Sequence, residues 1–541
     1  MADGNLSRRV YTYDTTLRDG EQGEGIAFSV EDKLRVLQRL DAFGIDFIEG
    51  GFPASNKRDE AFFKEAGKLP LSHASLVAFG STCKKGVPAA EDAGLAVLAA
   101  CSAPVLALVG KTSRWHVQET LGAAPQENLR MIADSVAFCV AAGKTVVFDA
   151  EHFFDGYAHD AAYALECLRV AARAGAEALV LCDTNGAALP PAVEEAVRAV
   201  AAALPQVQLG IHCHNDSACA VANTLAAVRA GAVQVQGTVN GIGERTGNAD
   251  LLAVIANLEL KMGCRCVGLE RLRELRSVAR FVAEVCNVSL SHQQPYTGKS
   301  AFVHKAGLHA SALSRNAHAY EHVDPEAVGN TAQVAVSRLA GKASLLLKAK
   351  SLGIDLSPNG GVDEHRLQGI LDDLKQREAA GYSYELADAS LALLLRWHVG
   401  AYRPYFTLES FRVIVDDHED KGALAKDAAS EATIKIHVGD QRFVATGEGT
   451  GPVGALDTAL RMAITESYPA VQDMELVDFK VRILDENVGT SAITRVTITT
   501  RHGADSWASM GVSENILEAS WNALVDSIEY GLLRAGVPTR N

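Results

Sequence analysis

Between residues 10 and about 240 the chain alternates short runs of β-forming residues with longer stretches rich in Ala, Leu, Glu and Arg, and it does so eight times. The strands this predicts are Val10–Asp14, Asp46–Glu49, Ser75–Phe79, Pro104–Val109, Thr145–Asp149, Ala178–Cys182, Gln208–His212 and Val233–Val239. Strict alternation of strand and helix builds a parallel sheet, because a parallel neighbour needs a crossover long enough to hold a helix. Eight such units in roughly 240 to 290 residues match a closed (β/α)8 TIM barrel, whereas a doubly wound open sheet usually has fewer strands. Polar residues gather where the strands end: Asp14 to Asp19, Glu49 to Phe52, Asp149 to His152, Asp183 to Asn185, His212 to Asp216 and Asn240 to Asn248. Ordinary turns favour Ser, Gly and Pro. Asp, Glu, His, Arg and Asn at most of these ends predict chemistry on the C-terminal face of the barrel.

The chain has 541 residues, so the barrel is followed by more than one further domain's worth of sequence. From about 290 to 400 the pattern is helical with Gly-rich breaks, including Ser357 to Gly361 and the amphipathic stretch His365 to Ala380. From about 405 it turns to strands, and a βββα unit occurs twice. The strands are Phe411–Val415, Ala432–His437 and Gln441–Thr446 before a helix at 453–466, then Asp478–Leu484, Ile493–Thr500 and Ser506–Val512 before a helix at 514–533. The predicted division is therefore 1–290 for the barrel, 291–404 for a helical linker and 405–541 for an α+β C-terminal domain suited to small-molecule sensing or dimerisation.

Composition excludes several classes. Hydrophobic residues make up 48% and charged residues 22%, too apolar for a disordered chain. A net charge of −15 repels nucleic acid and anionic membrane surfaces, so an anionic ligand must be held by local groups. All ten cysteines precede residue 287 with no CxxC pair, which predicts reduced thiols. With no apolar run before the first strand and no long apolar stretch elsewhere, the expected location is the cytoplasm.

His212 and His214 end the seventh strand, where period-two alternation puts both imidazoles on one side. Asp19 lies just beyond the first strand, which neighbours the eighth in a closed barrel. Asp, two His and an amide oxygen make an open site for Zn, Mn, Mg or Co, and ligand type alone does not choose among them. Arg18, beside Asp19, is placed to stabilise a developing enolate or alkoxide oxygen, and the Glu151 carboxylate to position substrate or relay protons. The run Gly447 to Gly454 superficially matches a dinucleotide loop, but it falls in the βββα repeat rather than a βαβ unit, so no nucleotide cofactor is expected there.

Three motifs in order, YDTTLRDGEQ (13–22), HCHND (212–216) and NGIGERTGN (240–248), resemble the metal-dependent Claisen-condensing acyltransferases whose TIM barrel is shared with hydroxymethylglutaryl-CoA lyase. KSAFVHKAGLHASAL (299–313) with Tyr320-Glu321 resembles the linker of the 2-isopropylmalate synthase family, and the C-terminal repeat resembles its feedback-regulatory domain. GEQGEGIAFSVEDKL (20–34) and GYSYELADAS (381–390) are similar to the citramalate-forming branch. The resemblance implies condensation of acetyl-CoA with pyruvate and water to (R)-citramalate and CoA, on a route to isoleucine, with a branched-chain amino acid, isoleucine favoured, as feedback effector. It implies metal ligation by Asp19, His212, His214 and Asn248, keto-oxygen polarisation by Arg18, and an active-site role for Glu151. His309, as acid/base, and Tyr320 are implied to complete the site from the second subunit of a homodimer. The alternatives are 2-isopropylmalate or homocitrate synthesis with another 2-oxo acid, the reverse cleavage of the barrel lyases, and a metabolite sensor without activity.

Overall fold

The computed structural model describes residues 8–304, 321–334, 342–356, 364–384, 387–415, 430–484, 492–503 and 505–540. They fall into two compact units, one of residues 8–302 with 321–331 and one of the remaining described residues.

The first unit contains a closed parallel barrel of eight strands in sequence order. These are β1 (Tyr11–Asp14), β2 (Phe47–Glu49), β3 (Ser75–Ser81), β4 (Val105–Lys111), β5 (Thr145–Glu151), β6 (Ala178–Asp183), β7 (Gln208–Cys213) and β8 (Gln234–Gly237). β1 closes the ring on β8, with Tyr13 opposite Gln236. Helices follow each strand in turn: Val30–Phe43, Lys57–Ala66, Ala93–Ala100, Pro125–Ala141, Phe153–Arg173, Pro190–Ala203, Ala220–Ala230 and Leu251–Leu260.

Alternation along each strand sorts two cores. Leu106, Leu108, Phe148, Leu179, Leu181, Leu209, Ile211 and Val235 point outward and pack under the helices. Tyr13, Val77, Val105, Ala107, Val147, Ala178, Val180 and Cys182 fill the interior. Continuing the same alternation toward the C-terminal ends aims Glu49, Asp149, Glu151, His212 and Gln236 inward. The barrel is thus apolar at one end of its interior and polar at the other.

Six of the eight strands end one or two residues from the sequence expectation, β3 to β7 later and β8 earlier, and two of these ends bear on the site. β5 runs through Glu151, so that residue is the last of the strand rather than part of the following loop. β8 stops at Gly237 instead of Val239, because the chain turns at Val239–Gly241 with Asn240 in the left-handed region at φ 63°.

The helix Val30–Phe43 shows how local signals fix the loops. Ser29 and Asp32 form a reciprocal capping box, and Gly44 ends the helix at φ 96°. Lys33, fully buried on this helix, reaches Asp59 at 2.6 Å, Glu21 at 3.0 Å and the Gly50 carbonyl at 3.0 Å. That ammonium ties the loop after β1 to the loop after β2, and removing it would leave the buried Asp59 carboxylate without the cation that faces it, while Glu21 keeps Arg58.

In the second unit the βββα duplication is present as two antiparallel three-stranded sheets. One holds β9 (Thr407–Val415), β10 (Ser430–Val438) and β11 (Gln441–Gly449), followed by the helix Pro452–Ile464. The other holds β12 (Glu475–Ile483), β13 (Thr494–His502) and β14 (Asp505–Ser513), followed by Ile516–Arg534. The intervening helical region supplies Lys342–Ser351, Glu364–Ala379 and Asp388–His398, and it also carries a parallel pair of two-residue strands, Val303–His304 with Gln333–Val334, that the sequence did not suggest. All ten cysteines are free. Among the described residues no helix is long and apolar enough to cross a membrane.

Candidate active site

The loop after β1 is organised by a buried carboxyl. Asp14 accepts from Thr16 through backbone N–H at 3.0 Å and hydroxyl at 2.7 Å, and Thr16 Oγ1 accepts from the Val239 N–H at 2.9 Å. Burial pushes the Asp14 carboxyl up to about 7 despite those bonds. The backbone then curls so that the Asp19 and Gly20 N–H groups both reach the Thr15 carbonyl, at 2.8 and 3.2 Å, which sets Arg18 and Asp19 at the barrel mouth.

Asp19, His212 and His214 each offer a ligand atom, and these atoms lie within 4.8 Å of one another. His212 Nε2 is 3.5 Å from Asp19 Oδ2, and the two imidazole centroids are 5.2 Å apart. His214 lies one residue past β7 and is fixed there by a backbone bridge to Asn248. The Asn248 amide nitrogen is 3.4 Å from Asp19 Oδ2 and 3.3 Å from His212 Nε2. All four side chains are buried.

The turn 240–248 serves to place Asn248. Gly243 has φ 154°, and a Cβ there would stand 2.1 Å from Asn248 Oδ1. Arg245 pins the turn from outside by a bidentate pair to Asp216 at 2.8 and 3.0 Å.

Two observations fit this cluster to a divalent cation. His214 Nδ1 and Asn248 Oδ1 are buried without a hydrogen-bond partner among the described residues, an arrangement that costs free energy unless something else is bound there. Burial, with His212 beside it, also pushes the His214 imidazole down to about 4, so it is neutral and able to ligate at pH 7. Burial alone would raise the Asp19 carboxyl, but Arg18, His212 and His214 outweigh it and hold Asp19 below its ordinary range.

Arg18 is the charge hub beside that cluster. Its guanidinium bonds both Asp19 and Glu49, and it stacks 4.0 Å over the Phe79 ring. Glu49, fully buried, also accepts from Tyr13 Oη at 2.5 Å. Burial opposes charge on Arg18, but the two carboxylates overcome it and hold the guanidinium firmly protonated.

Sequence reasoning placed Glu49 and Asp149 among the polar strand ends of the barrel mouth without identifying Glu49 as a partner of Arg18 or Asp149 as a neighbour of the cluster, and it missed Gln236 altogether. Gln236 stands opposite His212 in the strand register, with Oε1 3.0 Å from His212 Nδ1 and Nε2 3.4 Å from Asp149 Oδ1. Burial and then Glu49 push Asp149 well above the usual carboxyl range. The available signal was polar residues at inward positions of otherwise apolar strands.

Glu151 is held elsewhere in the mouth, paired at 2.6 Å with Lys111 at the end of the neighbouring β4. His152 follows it in the left-handed region at φ 55° and stacks on His116 with centroids 3.7 Å apart. His309 and Tyr320 lie outside the described residues. At the end of β6, Asp183 closes its own turn, accepting from the Ala187 and Ala188 N–H groups at 3.2 and 3.3 Å. The glycines of 447–454 also have a packing role: a Cβ on Gly447 or Gly449 would meet the backbone of the following helix at 2.4 or 2.6 Å. With β9–β11 antiparallel, that loop is not part of a βαβ unit.

Residues 9–282 match the HMGL-like family, 296–378 the homocitrate synthase post-HMGL domain-like family, and 385–532 the LeuA allosteric (dimerisation) domain. The chain is 49% identical over 538 residues to the (R)-citramalate synthase of Streptomyces coelicolor, covering 99% of both chains. It is 45% identical over 529 residues to that of Aquifex aeolicus, covering 98% of this chain and 99% of the relative. Among solved structures, the HMG-CoA lyase of Bacillus subtilis aligns with 52% of this chain and 95% of its own, at 21% identity and a TM-score of 0.46. On the family matches and the near full-length relatives, the chain belongs to the HMGL-like family, within its (R)-citramalate synthase branch.

Proposed function

We propose that this protein condenses acetyl-CoA with pyruvate and water to give (R)-citramalate and CoA. The observation that carries the reading is Arg18 lying directly beside the buried Asp19, His212, His214 and Asn248 cluster at one barrel mouth. Asp19, His212, His214 and Asn248 would hold the divalent metal ion, which supplies Lewis acidity toward the 2-oxo acid.

The remaining steps fall to side chains. The acetyl methyl of a thioester is a weak acid, so a base must remove its proton while the new carbanion is held near the keto carbon. Carbon–carbon bond formation turns the keto oxygen into an alkoxide, and the Arg18 guanidinium, already desolvated and oriented by Glu49, stabilises that charge. Glu151, oriented by Lys111, positions substrate or relays the proton. His309 and Tyr320 complete the site from a second subunit, with His309 as acid/base, which makes the active form a homodimer. Hydrolysis of the thioester then releases CoA and makes the condensation effectively irreversible.

In this reading residues 1–290 catalyse, 291–404 complete the site, and 405–541 dimerise and bind a branched-chain amino acid, isoleucine, as feedback effector of an isoleucine pathway in the cytoplasm. Pyruvate is preferred over 2-oxoisovalerate, in line with the identity to (R)-citramalate synthases. The test follows the carbon: with acetyl-CoA labelled in the methyl group, one free thiol should appear per citramalate formed and the label should sit in the product's CH2. Label recovered only in acetate would mean simple thioester hydrolysis and defeat the assignment.

A further inference from the structure

We propose that Gln236 is a positioning residue for the metal centre, accepting the Nδ1 proton of His212 so that the Nε2 lone pair faces Asp19, His214 and Asn248. The inference rests on the reading of that cluster as a metal site.

A histidine nitrogen ligates only through its lone pair, and in a neutral imidazole the proton then occupies the other nitrogen. His212 turns Nε2 toward Asp19 Oδ2 at 3.5 Å and the Asn248 amide at 3.3 Å, so the proton belongs on Nδ1. Buried inside the barrel, that N–H needs an acceptor, and Gln236 Oε1 stands 3.0 Å away. The position is fixed by the sheet: His212 and Gln236 are register partners on β7 and β8, and Gln236 is fully buried. Its amide nitrogen faces Asp149 Oδ1 at 3.4 Å, which turns the carbonyl end toward His212. A chain of Asp149, Gln236 and His212 therefore sets one tautomer and one ring orientation. Outer partners of this kind typically contribute about 10- to 100-fold to metal affinity.

The experiment is calorimetric titration of the metal-stripped full-length protein with Mn2+, using wild type, Q236L, Q236E and D19N, with thermal melts of each. Q236L removes the acceptor at nearly constant volume, and Q236E restores an acceptor oxygen. The expected result is a Kd about 10- to 100-fold weaker in Q236L, at a melting temperature close to wild type, and a Q236E value within about threefold of wild type. Should Q236L fail to fold, Q236M takes its place with the same expected loss. Unchanged affinity in the acceptor-free variant, or a Q236E protein as weak as Q236L, would overturn the role of Gln236. Wild type and D19N binding Mn2+ alike would instead show that the cluster is not the metal site, a separate failure from that of Gln236.

Discussion

Asp19→Asn is expected to leave a folded protein whose CoA release from acetyl-CoA and pyruvate falls by about 10³-fold or more. Asp19 is the one carboxylate in a cluster otherwise made of two imidazoles and an amide, so its charge dominates attraction for a divalent cation. Losing Lewis acidity worth several kcal/mol of transition-state stabilisation converts to about that loss in rate. The fold should survive because Asn fills the same space and Arg18 keeps its pairing with Glu49. Excess Mn2+ should recover little of the rate, since the ligand set rather than metal supply is deficient. Steady-state assay of thiol release across metal concentrations checks this, and a variant within tenfold of wild type would contradict a catalytic role for the cluster. A sensor without activity predicts the opposite pattern, with ligand binding retained and no turnover in wild type.

Arg18→Gln should lower kcat by about 10²- to 10³-fold with a smaller change in KM, as expected for an interaction that strengthens as the alkoxide charge develops. It should also destabilise the barrel, because Glu49 is fully buried and, among the described residues, would keep only the Tyr13 hydroxyl as partner. Breaking a buried pair from one side typically costs about 3 to 5 kcal/mol. The two effects separate in the double variant R18Q/E49Q: neutralising the stranded carboxylate should bring the melting temperature back toward wild type and leave kcat low. Recovery of kcat together with stability would mean that Arg18 only supports the fold.

The barrel was legible because its strands are buried on both faces and read as short continuous apolar runs, such as Leu179 to Leu181. The clustering of His212, His214 and Asp19 was legible for a different reason: they are unusual residue types at strand ends, and the order of strands in a closed barrel brings them together. Glu49 and Asp149 were legible only as polar strand ends and Gln236 not at all, and none of the three could be paired with its partner. Each is a single polar residue at an inward position, and its partner stands 31, 87 or 24 residues away in sequence, so only the strand register joins them. The glycines at 447 and 449 are ambiguous by composition, since a Gly-rich run before a helix serves close strand–helix packing as well as it serves a phosphate, and only their place in a βββα unit argued against a dinucleotide loop. Pocket volume around a substrate methyl cannot be read from a sequence pattern, and choosing pyruvate over a bulkier acid rests on about 1 to 3 kcal/mol per methylene.

The measurement that bears most directly on the whole account is kcat/KM for thiol release by the purified, metal-loaded protein with pyruvate, 2-oxobutyrate, 2-oxoisovalerate and 2-oxoglutarate in parallel. The account predicts pyruvate ahead of 2-oxoisovalerate by at least about tenfold, the least that a pocket shaped to the smaller group should give. Preference for 2-oxoisovalerate, or no release with any of the four, would contradict it.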